Sequence, residues 1–206
     1  MMFCIDNKIY NRMTFSYTLV FDTETTGLPP YKKLERGKMV ATPEKYLKHW
    51  DECRMVEIAW LLYDGQTLVK KESYVIQPDN YTVPEEASRI HGITTEVALR
   101  DGRSIHEILP LFLQDLSLTQ TIVAHNMEFD YNVLLSELLR AGLDTTSLTS
   151  KNKICTMKDF LDNPAIDRWP RLTHLYKKHT GKEFNQEHRA LGDATACAEI
   201  YLSLTK

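Results

Sequence analysis

Two apolar helical faces in this sequence each begin with an aspartate at a position that folding should bury. The residues that follow Asp193 at helical spacing are Ala196, Cys197, Ile200, Tyr201 and Leu204. Asp130 has the same relation to Val133, Leu134 and Leu138. Residues at these offsets share one side of a helix, and a carboxylate among apolar side chains is costly unless a partner compensates it. The fold must therefore supply a compensating group beside these acids.

A further acidic pair, Asp22 and Glu24, ends a short apolar segment that predicts a buried strand. Successive side chains of a strand alternate, so both acids point to one side of the sheet and Thr23 points to the other. Any one of these acids alone could cap a helix, pair with an arginine or end a strand. Four acids that converge would repel one another unless cations lie between them. Oxygen ligands without cysteine favour Mg²⁺ or Mn²⁺ over zinc.

His188 stands five residues before Asp193. Within one helix that spacing would turn the two side chains about 140° apart, so we expect His188 in the loop or first turn before the helix. A histidine beside a metal cluster is a candidate general base because its pKa lies near neutrality. An isolated histidine is more often a surface or core residue, so only the neighbouring acids favour this role.

The pattern along the chain predicts a mixed sheet with helices on its faces. The predicted strands are 17–22, 55–63, 68–77 and 121–124, and the Asp64-Gly65 pair between the second and third is typical of a hairpin. The predicted helices are 84–90, 104–116, 127–141, 171–180 and 189–203. We assign 1–16 to an N-terminal extension and 17–206 to a single domain with a basic insertion at about 29–54, a stretch that has the character of a long loop or a small insertion.

Composition fits one globular domain, because 43% of the 206 residues are hydrophobic and 26% are charged. No apolar run approaches the ~18 residues that span a bilayer, and residues 1–16 lack the apolar block of a secretory signal. We therefore expect a soluble intracellular protein, cytoplasmic or nuclear, that is neither secreted nor in the membrane. The four cysteines, Cys4, Cys53, Cys155 and Cys197, are too widely spaced to indicate zinc or a disulfide framework.

The net charge of −3 counts against a nucleic-acid binder, but the charge is uneven. Residues 151–182 hold eight basic and three acidic side chains, and the stretch from Leu28 to Val56 is also basic. Either stretch could be ordinary solvated surface. Their sign also suits contacts to phosphates.

Three motifs carry a family resemblance, and they occur in a specific order: Asp22–Gly27, His125–Asp130 and His188–Asp193. Together with His91–Thr94 they resemble the DEDDh exonucleases, the DnaQ-like branch of the ribonuclease H-like superfamily. The resemblance covers residues 17–204. It implies an α/β fold with a ribonuclease H-like, mixed five-stranded sheet flanked by helices, and a metal-dependent 3′–5′ exonuclease activity on nucleic acid.

The resemblance also implies a role for each matched acid. Asp22, Glu24 and Asp193 would hold the metal ion that activates water. Asp22 would bridge to a second ion, with Asp130 acting at least partly through water, so that two divalent cations, Mg²⁺ or Mn²⁺, are expected. His188 would take the proton of the attacking water, and a nucleoside 5′-monophosphate would leave.

Six further positions are implied to contact substrate: Thr25, Leu28, Ile90, His91, His125 and Asn126. The first four would lie near the 3′-terminal nucleotide, Thr25 through its backbone and Leu28 through its side chain. Leu28 could equally be a packed turn residue. His125 and Asn126 could orient Asp130 or the substrate strand, or they could only cap the helix that follows.

The substrate remains open between DNA and RNA. DNA is favoured because the Asp22–Gly27 motif is more similar to those of polymerase proofreading subunits and DNA-trimming exonucleases. A polymerase or another replication or repair protein is then an expected partner. The alternatives are an exoribonuclease of the same fold, a hydrolase of small phosphate esters, and a non-catalytic nucleic-acid-binding module. The presence of all five catalytic-type residues argues against the last.

Overall fold

One mixed five-stranded sheet forms the centre of the protein. The structure, a computed structural model, describes residues 17–30, 42–159 and 169–205. The strands are β1 (Tyr17–Thr25), β2 (Met55–Asp64), β3 (Thr67–Val75), β4 (Thr119–Ala124) and β5 (Asn152–Cys155). Their order is β3-β2-β1-β4-β5, with β1 antiparallel to β2 and parallel to β4. The predicted mixed five-stranded sheet is confirmed.

The predicted hairpin joins β2 to β3. Asp64 pairs with Thr67, so Gly65 and Gln66 form a two-residue turn. Gly65 has a φ of 57°, which is the left-handed conformation that such a turn needs and that glycine adopts most readily. The turn therefore sets the register of β2 against β3.

Helices cover both faces of the sheet. They are α1 (Pro43–Tyr46), α2 (Glu85–His91), α3 (Thr95–Asp101), α4 (Ile105–Ser117), α5 (Met127–Arg140), α6 (Thr146–Thr149), α7 (Leu172–Thr180) and α8 (Ala190–Leu204). The five predicted helices are all present, with ends shifted by one residue at most. The helices that were not predicted, α1, α3 and α6, have seven residues or fewer, too few to display a clear apolar period.

β5 was not predicted from the sequence. Of its four residues only Cys155 is buried, so neither alternation nor an apolar run marks this edge strand. Parallel pairing with β4 defines it instead. The pairing also places the start of the basic stretch 151–182 beside β4.

β1 separates two core layers because its side chains alternate between the two faces. Leu19 and Phe21 belong to a cluster with residues of α4 and α5, whereas Val20 packs with residues of α7 and α8. By the same alternation, Thr23 points towards the α5 layer, and Asp22 and Glu24 point towards the α8 layer. The site is therefore built at the end of a strand that contacts both layers.

Of the two alternatives for 29–54, a long loop and a small insertion, the long loop is wrong for the second half. Residues 43–46 form α1, and Leu47–Trp50 form a turn of 3₁₀ helix. The Trp50 side chain is 1% exposed and Cys53 is fully buried, both within the α4–α5 core. Burial of Trp50 stabilises the segment that leads into β2, although the sequence of this segment shows no apolar periodicity. Residues 31–41, like the extension 1–16, lie outside the described residues.

The cysteines Cys53, Cys155 and Cys197 are free and buried, and Cys4 lies outside the described part of the chain. Across the described ranges, no helix combines the length and apolar character required to cross a bilayer.

We expect Phe112→Ala in α4 to lower the free energy of unfolding by about 3–5 kcal/mol, because it would leave a cavity in the core. Phe112 is fully buried, and its ring lies 5.3 Å from that of Trp60 and 5.9 Å from that of Phe21. Urea denaturation would measure the change. Leu99→Ala is the matched control, since Leu99 is 50% exposed and should shift stability by about 0.5 kcal/mol or less. Equal effects would contradict the packing described here.

Candidate active site

Three of the predicted acids meet at one end of the sheet. Carboxylate oxygens of Asp22 and Glu24 on β1 and of Asp193 in the first turn of α8 all lie within 4.8 Å of one another. The two strand residues share a face because they are two apart, and α8 packs on that face of β1. The strand and the helix thereby bring together acids that are 171 residues apart in the chain.

Burial and mutual repulsion make these acids hard to ionise. Burial raises the pKa of Asp22 well above its usual range, and the charges of Asp130 and Asp193 raise it further. Burial raises the pKa of Glu24 to about 9, with a further contribution from Asp193. Burial also raises the pKa of Asp193, although the hydrogen bond from Gln186 lowers it. The cluster therefore favours bound protons or a bound cation at neutral pH.

The donor set fits a divalent metal ion. Among the residues that the structure describes, no lysine or arginine forms an ion pair with Asp22, Glu24 or Asp193. Oδ1 of Asp193 is buried without a hydrogen-bond partner. Three carboxylates without a nitrogen or sulfur ligand are the oxygen set that Mg²⁺ and Mn²⁺ prefer.

Asp130 approaches the site from the opposite layer. It is 3% exposed in the first turn of α5, and its Oδ1 accepts hydrogen bonds from the Thr23 amide at 3.0 Å and the Thr23 hydroxyl at 2.7 Å. Burial raises the pKa of Asp130 to about 7, although both bonds from Thr23 lower it. Asp130 is thus adjacent to the acid cluster, and it is held in place by Thr23, the residue between Asp22 and Glu24.

His188 lies in the loop before α8, as the spacing to Asp193 predicted. Its side chain is exposed, and its backbone has a φ of 49°, which few residues other than glycine adopt. Nearby, Gln186 donates a hydrogen bond of 2.6 Å from Nε2 to Oδ2 of Asp193. The loop is therefore tied to the acid cluster two residues before the histidine.

The four positions expected near a 3′-terminal nucleotide differ in accessibility. Leu28 is 65% exposed and Ile90 is 57% exposed, so the alternative of a packed Leu28 is not observed. Thr25 is half-buried, and its hydroxyl donates to the Gly27 carbonyl at 2.8 Å. His91 is 3% exposed, its Nδ1 accepts from the Ile93 amide at 3.1 Å, and burial lowers its pKa.

His125 and Asn126 lead from β4 into α5. Nδ1 of His125 lies 3.1 Å from the hydroxyl of Thr156, and burial lowers the His125 pKa to about 4, so the ring is neutral at physiological pH. Asn126 occupies the N-cap position, but its side chain makes no capping hydrogen bond. The alternative that the Asn126 side chain caps α5 is therefore wrong. The residue instead adopts a left-handed backbone conformation, with φ 65° and ψ 47°.

Sequence reasoning missed three supporting residues. Thr23 holds Asp130, Gln186 holds Asp193, and Glu57 on β2 lies directly opposite Glu24 in the sheet register. Glu57 was detectable, since it is an acid inside the continuous apolar run of β2, where every other residue up to Tyr63 is apolar and buried. Thr23 and Gln186 give no such indication, because short polar residues are common in turns and strands.

The described part of the basic stretch 151–182 lies partly beside α5. Nζ of Lys153 lies 3.6 Å from the centre of the Tyr131 ring, and Nζ of Lys158 lies 3.1 Å from Glu128. These side chains are thus next to the helix that carries Asp130. Residues 160–168, with Arg168, lie outside the described residues.

A family model described as "Exonuclease" matches residues 19–201. The DNA polymerase III subunit epsilon of Rickettsia felis is 30% identical over 192 residues, which cover 91% of this chain and 73% of the relative. The equivalent protein of Rickettsia typhi is 29% identical, with the same coverage. The PolC-type DNA polymerase III of Thermotoga maritima is 28% identical over 96% of this chain, which spans only 12% of that protein.

The solved structures that are similar include E. coli exonuclease I. Its zinc-bound complex with single-stranded DNA superposes with a TM-score of 0.68 at 20% identity. The match covers 92% of this chain and 40% of exonuclease I. A complex of the same protein with a dT13 oligonucleotide has a TM-score of 0.67. The protein therefore shares the fold of a part, 40%, of a longer chain.

Without metal, we expect stability to fall as the pH rises. A carboxyl group whose pKa is raised by folding stabilises the folded chain fully below its unfolded pKa of about 4. That contribution is lost as the pH rises through about 7 for Asp130 and about 9 for Glu24. The melting temperature in chelator should therefore be higher at pH 5 than at pH 9, and a saturating divalent cation should reduce this slope. A cation effect that is equal at both pH values would contradict the site.

Proposed function

The chain belongs to the exonuclease family whose model spans its residues 19–201, and from this premise we propose that it removes nucleotides one at a time from the 3′ end of DNA. The reaction is hydrolysis of the terminal phosphodiester bond, with release of a nucleoside 5′-monophosphate. The observation that carries the proposal is the convergence of Asp22, Glu24 and Asp193, with Asp130 adjacent and His188 in the loop that leads to Asp193.

In this proposal Asp22, Glu24 and Asp193 would hold one divalent cation, Mg²⁺ or Mn²⁺, and Asp22 would help to hold a second, with Asp130 acting at least partly through water. When bound, the two cations would supply positive charge that makes water more acidic and stabilises the attacking and leaving oxygens of the displacement. Support comes from the raised pKa values of the acids and from the unpaired Oδ1 of Asp193. Both features reflect negative charge that no ion pair among the described residues neutralises.

His188 is the general base in this proposal, and it accepts the proton of the attacking water. Its position before α8 supports the role, because the imidazole is exposed and its charge lowers the pKa of Asp193. A general base must lie within hydrogen-bond reach of the proton that it removes and must have a pKa near the working pH. The exposed loop also allows the proton to pass on to solvent.

Thr23 acts through Asp130. Its amide and hydroxyl both donate to Oδ1 of Asp130, which leaves Oδ2 for other contacts. Hydrogen bonds to the ionised form of a carboxylate lower its pKa and fix its orientation. Thr23 therefore keeps Asp130 available as a ligand although the side chain is buried.

The 3′-terminal nucleotide contacts the exposed side chains of Leu28 and Ile90, with the Thr25 backbone and His91 beside it. Apolar side chains exposed to more than half of their surface next to a charged site suit the face of a nucleobase, which stacks without regard to its identity. His125 and Asn126 line the entry to α5 on the other side. Such contacts grip a strand end without reading its sequence.

DNA is the preferred substrate, and a DNA polymerase is the expected partner. Support comes from relatives whose names place them in DNA polymerase III and from the exonuclease I complexes with DNA oligonucleotides. Recognition of RNA would require contacts to the 2′-hydroxyl. We also propose that the exonuclease domain begins at residue 17 and contains an insertion at about 29–54.

The first experiment measures activity on single-stranded DNA and matched RNA, labelled at either end, with Mg²⁺, Mn²⁺ or chelator. We expect the 3′ label to appear early as mononucleotide, the 5′-labelled strand to shorten stepwise, chelator to stop both, and DNA to be cut faster than RNA. Faster cleavage of RNA would favour the exoribonuclease alternative. Cleavage of small phosphate esters without cleavage of either polymer, or binding without any cleavage, would reject the proposal.

Substitution of the catalytic residues makes a second prediction. Asp193→Asn should abolish cleavage because it removes a metal ligand, whereas His188→Ala should lower kcat by about 10²–10⁴-fold. The matched controls are Glu107→Gln and His106→Ala on the exposed face of α4, which should retain activity. Circular dichroism would verify folding, and near-normal cleavage by either site variant would contradict the assigned roles.

A further inference from the structure

Glu57 is a buried carboxylate that fixes the start of α8 to the central sheet. Its side chain is 2% exposed and faces the same layer as Glu24, its partner in the register of β1 and β2. It accepts two hydrogen bonds from the Arg189 guanidinium, at 3.0 Å from Nε and 2.6 Å from the terminal nitrogen, and one of 3.0 Å from the Ala190 amide.

These three bonds compensate a charge that would otherwise be costly. A buried carboxylate requires a positive partner and filled acceptor positions, and a two-pronged arginine pair is the strongest such arrangement. Arg189 makes no capping hydrogen bond with its own side chain, so Glu57 supplies the acceptor for the first amide of the helix. The pair thus fixes the position of the backbone at residues 189 and 190.

His188 directly precedes this anchored point and has an unfavourable backbone conformation. Its φ of 49° lies in the left-handed region, which costs free energy for a residue with a side chain. Such conformations persist where the surrounding contacts determine them, and they are concentrated at active sites. Here the bond from Gln186 to Asp193 fixes the loop on one side of His188, and the pair of Arg189 with Glu57 fixes it on the other.

We propose that Arg189 and Glu57 are positioning residues that hold the His188 imidazole at the distance from the acid cluster at which it can accept a proton. The inference rests on the proposed role of His188 as general base. Arg189 acts on the reacting atoms through His188 and through the charge that it neutralises on Glu57, and its own charge also lowers the pKa of Glu24. A misplacement of a reacting group by about 1 Å can lower a rate by about 100-fold, so this anchoring has a kinetic effect.

A purely structural role for the pair predicts different behaviour. If Arg189 served only to neutralise Glu57 for folding, its loss would lower stability, and any loss of activity would be the same whether or not His188 is present. A positioning role requires the effect of Arg189 on kcat to disappear when His188 is absent. The two explanations are therefore separated by combining substitutions at the two positions.

The experiment is a double-mutant cycle on the full chain with single-stranded DNA and saturating Mg²⁺. We expect Arg189→Met, at a Mg²⁺ concentration that saturates the variant, to lower kcat by about 10- to 100-fold with KM unchanged. Arg189→Met in the His188→Ala background should lower kcat no further. Arg189→Lys should recover part of the loss, because it keeps the charge but not both hydrogen bonds. The control, Arg103→Met, removes an exposed arginine paired with Glu107 on α4.

A second variant covers the case in which Arg189→Met does not fold, since it leaves Glu57 buried and unpaired. The combined Glu57→Gln and Arg189→Met variant removes both charges and should fold while showing the same loss of kcat. Unchanged kcat in a folded Arg189 variant, or an equal further loss in the His188→Ala background, would overturn the inference. An inactive wild-type protein, or normal activity of His188→Ala alone, would instead reject the proposed function.

Discussion

A carboxylate buried in a fold must be compensated, and the acids of this protein differ in whether an arginine compensates them. Glu57 and Glu137 are each about 1% exposed, and each is paired with an arginine and a backbone amide. Asp22, Glu24 and Asp193 have no such partner among the described residues. An acid in a buried cluster without a positive partner favours a bound proton or cation, so the unpaired acids form the candidate metal site.

The two paired acids, Glu57 and Glu137, hold in place the segments that lie next to the unpaired acids. Glu137 on α5 accepts from the Arg54 side chain at 2.8 Å and from the Met55 amide at 3.1 Å, while the Arg54 amide donates to the Thr26 hydroxyl at 2.8 Å. The start of β2 therefore fixes the turn that follows Glu24. Three residues after Arg54, Glu57 fixes the loop that carries His188. Residues 54–57, at the start of β2, thus fix segments on both sides of the proposed substrate site.

Much of this arrangement could be predicted from sequence because it depends on local periodicity. The alternation at Asp22 and Glu24 and the apolar stripe behind Asp193 each indicated a buried acid, and the hairpin at Gly65 followed from its turn residues. β5 and the helical part of the insertion could not be predicted. The first is stabilised by pairing with β4, and the second by burial of Trp50 in a distant core, and neither leaves a local pattern.

By itself the sequence determined which residues are candidates for the chemistry and which elements carry those residues, since motif order and side-chain periodicity are properties of the chain alone. Only the tertiary structure decided that three acids form one cluster and that Asp130 reaches it from the other layer, held by Thr23. It also decided that Glu57 pairs with Arg189, 132 residues away. These contacts depend on strand register and on helix packing across the sheet, and the periodicity of a single segment contains neither.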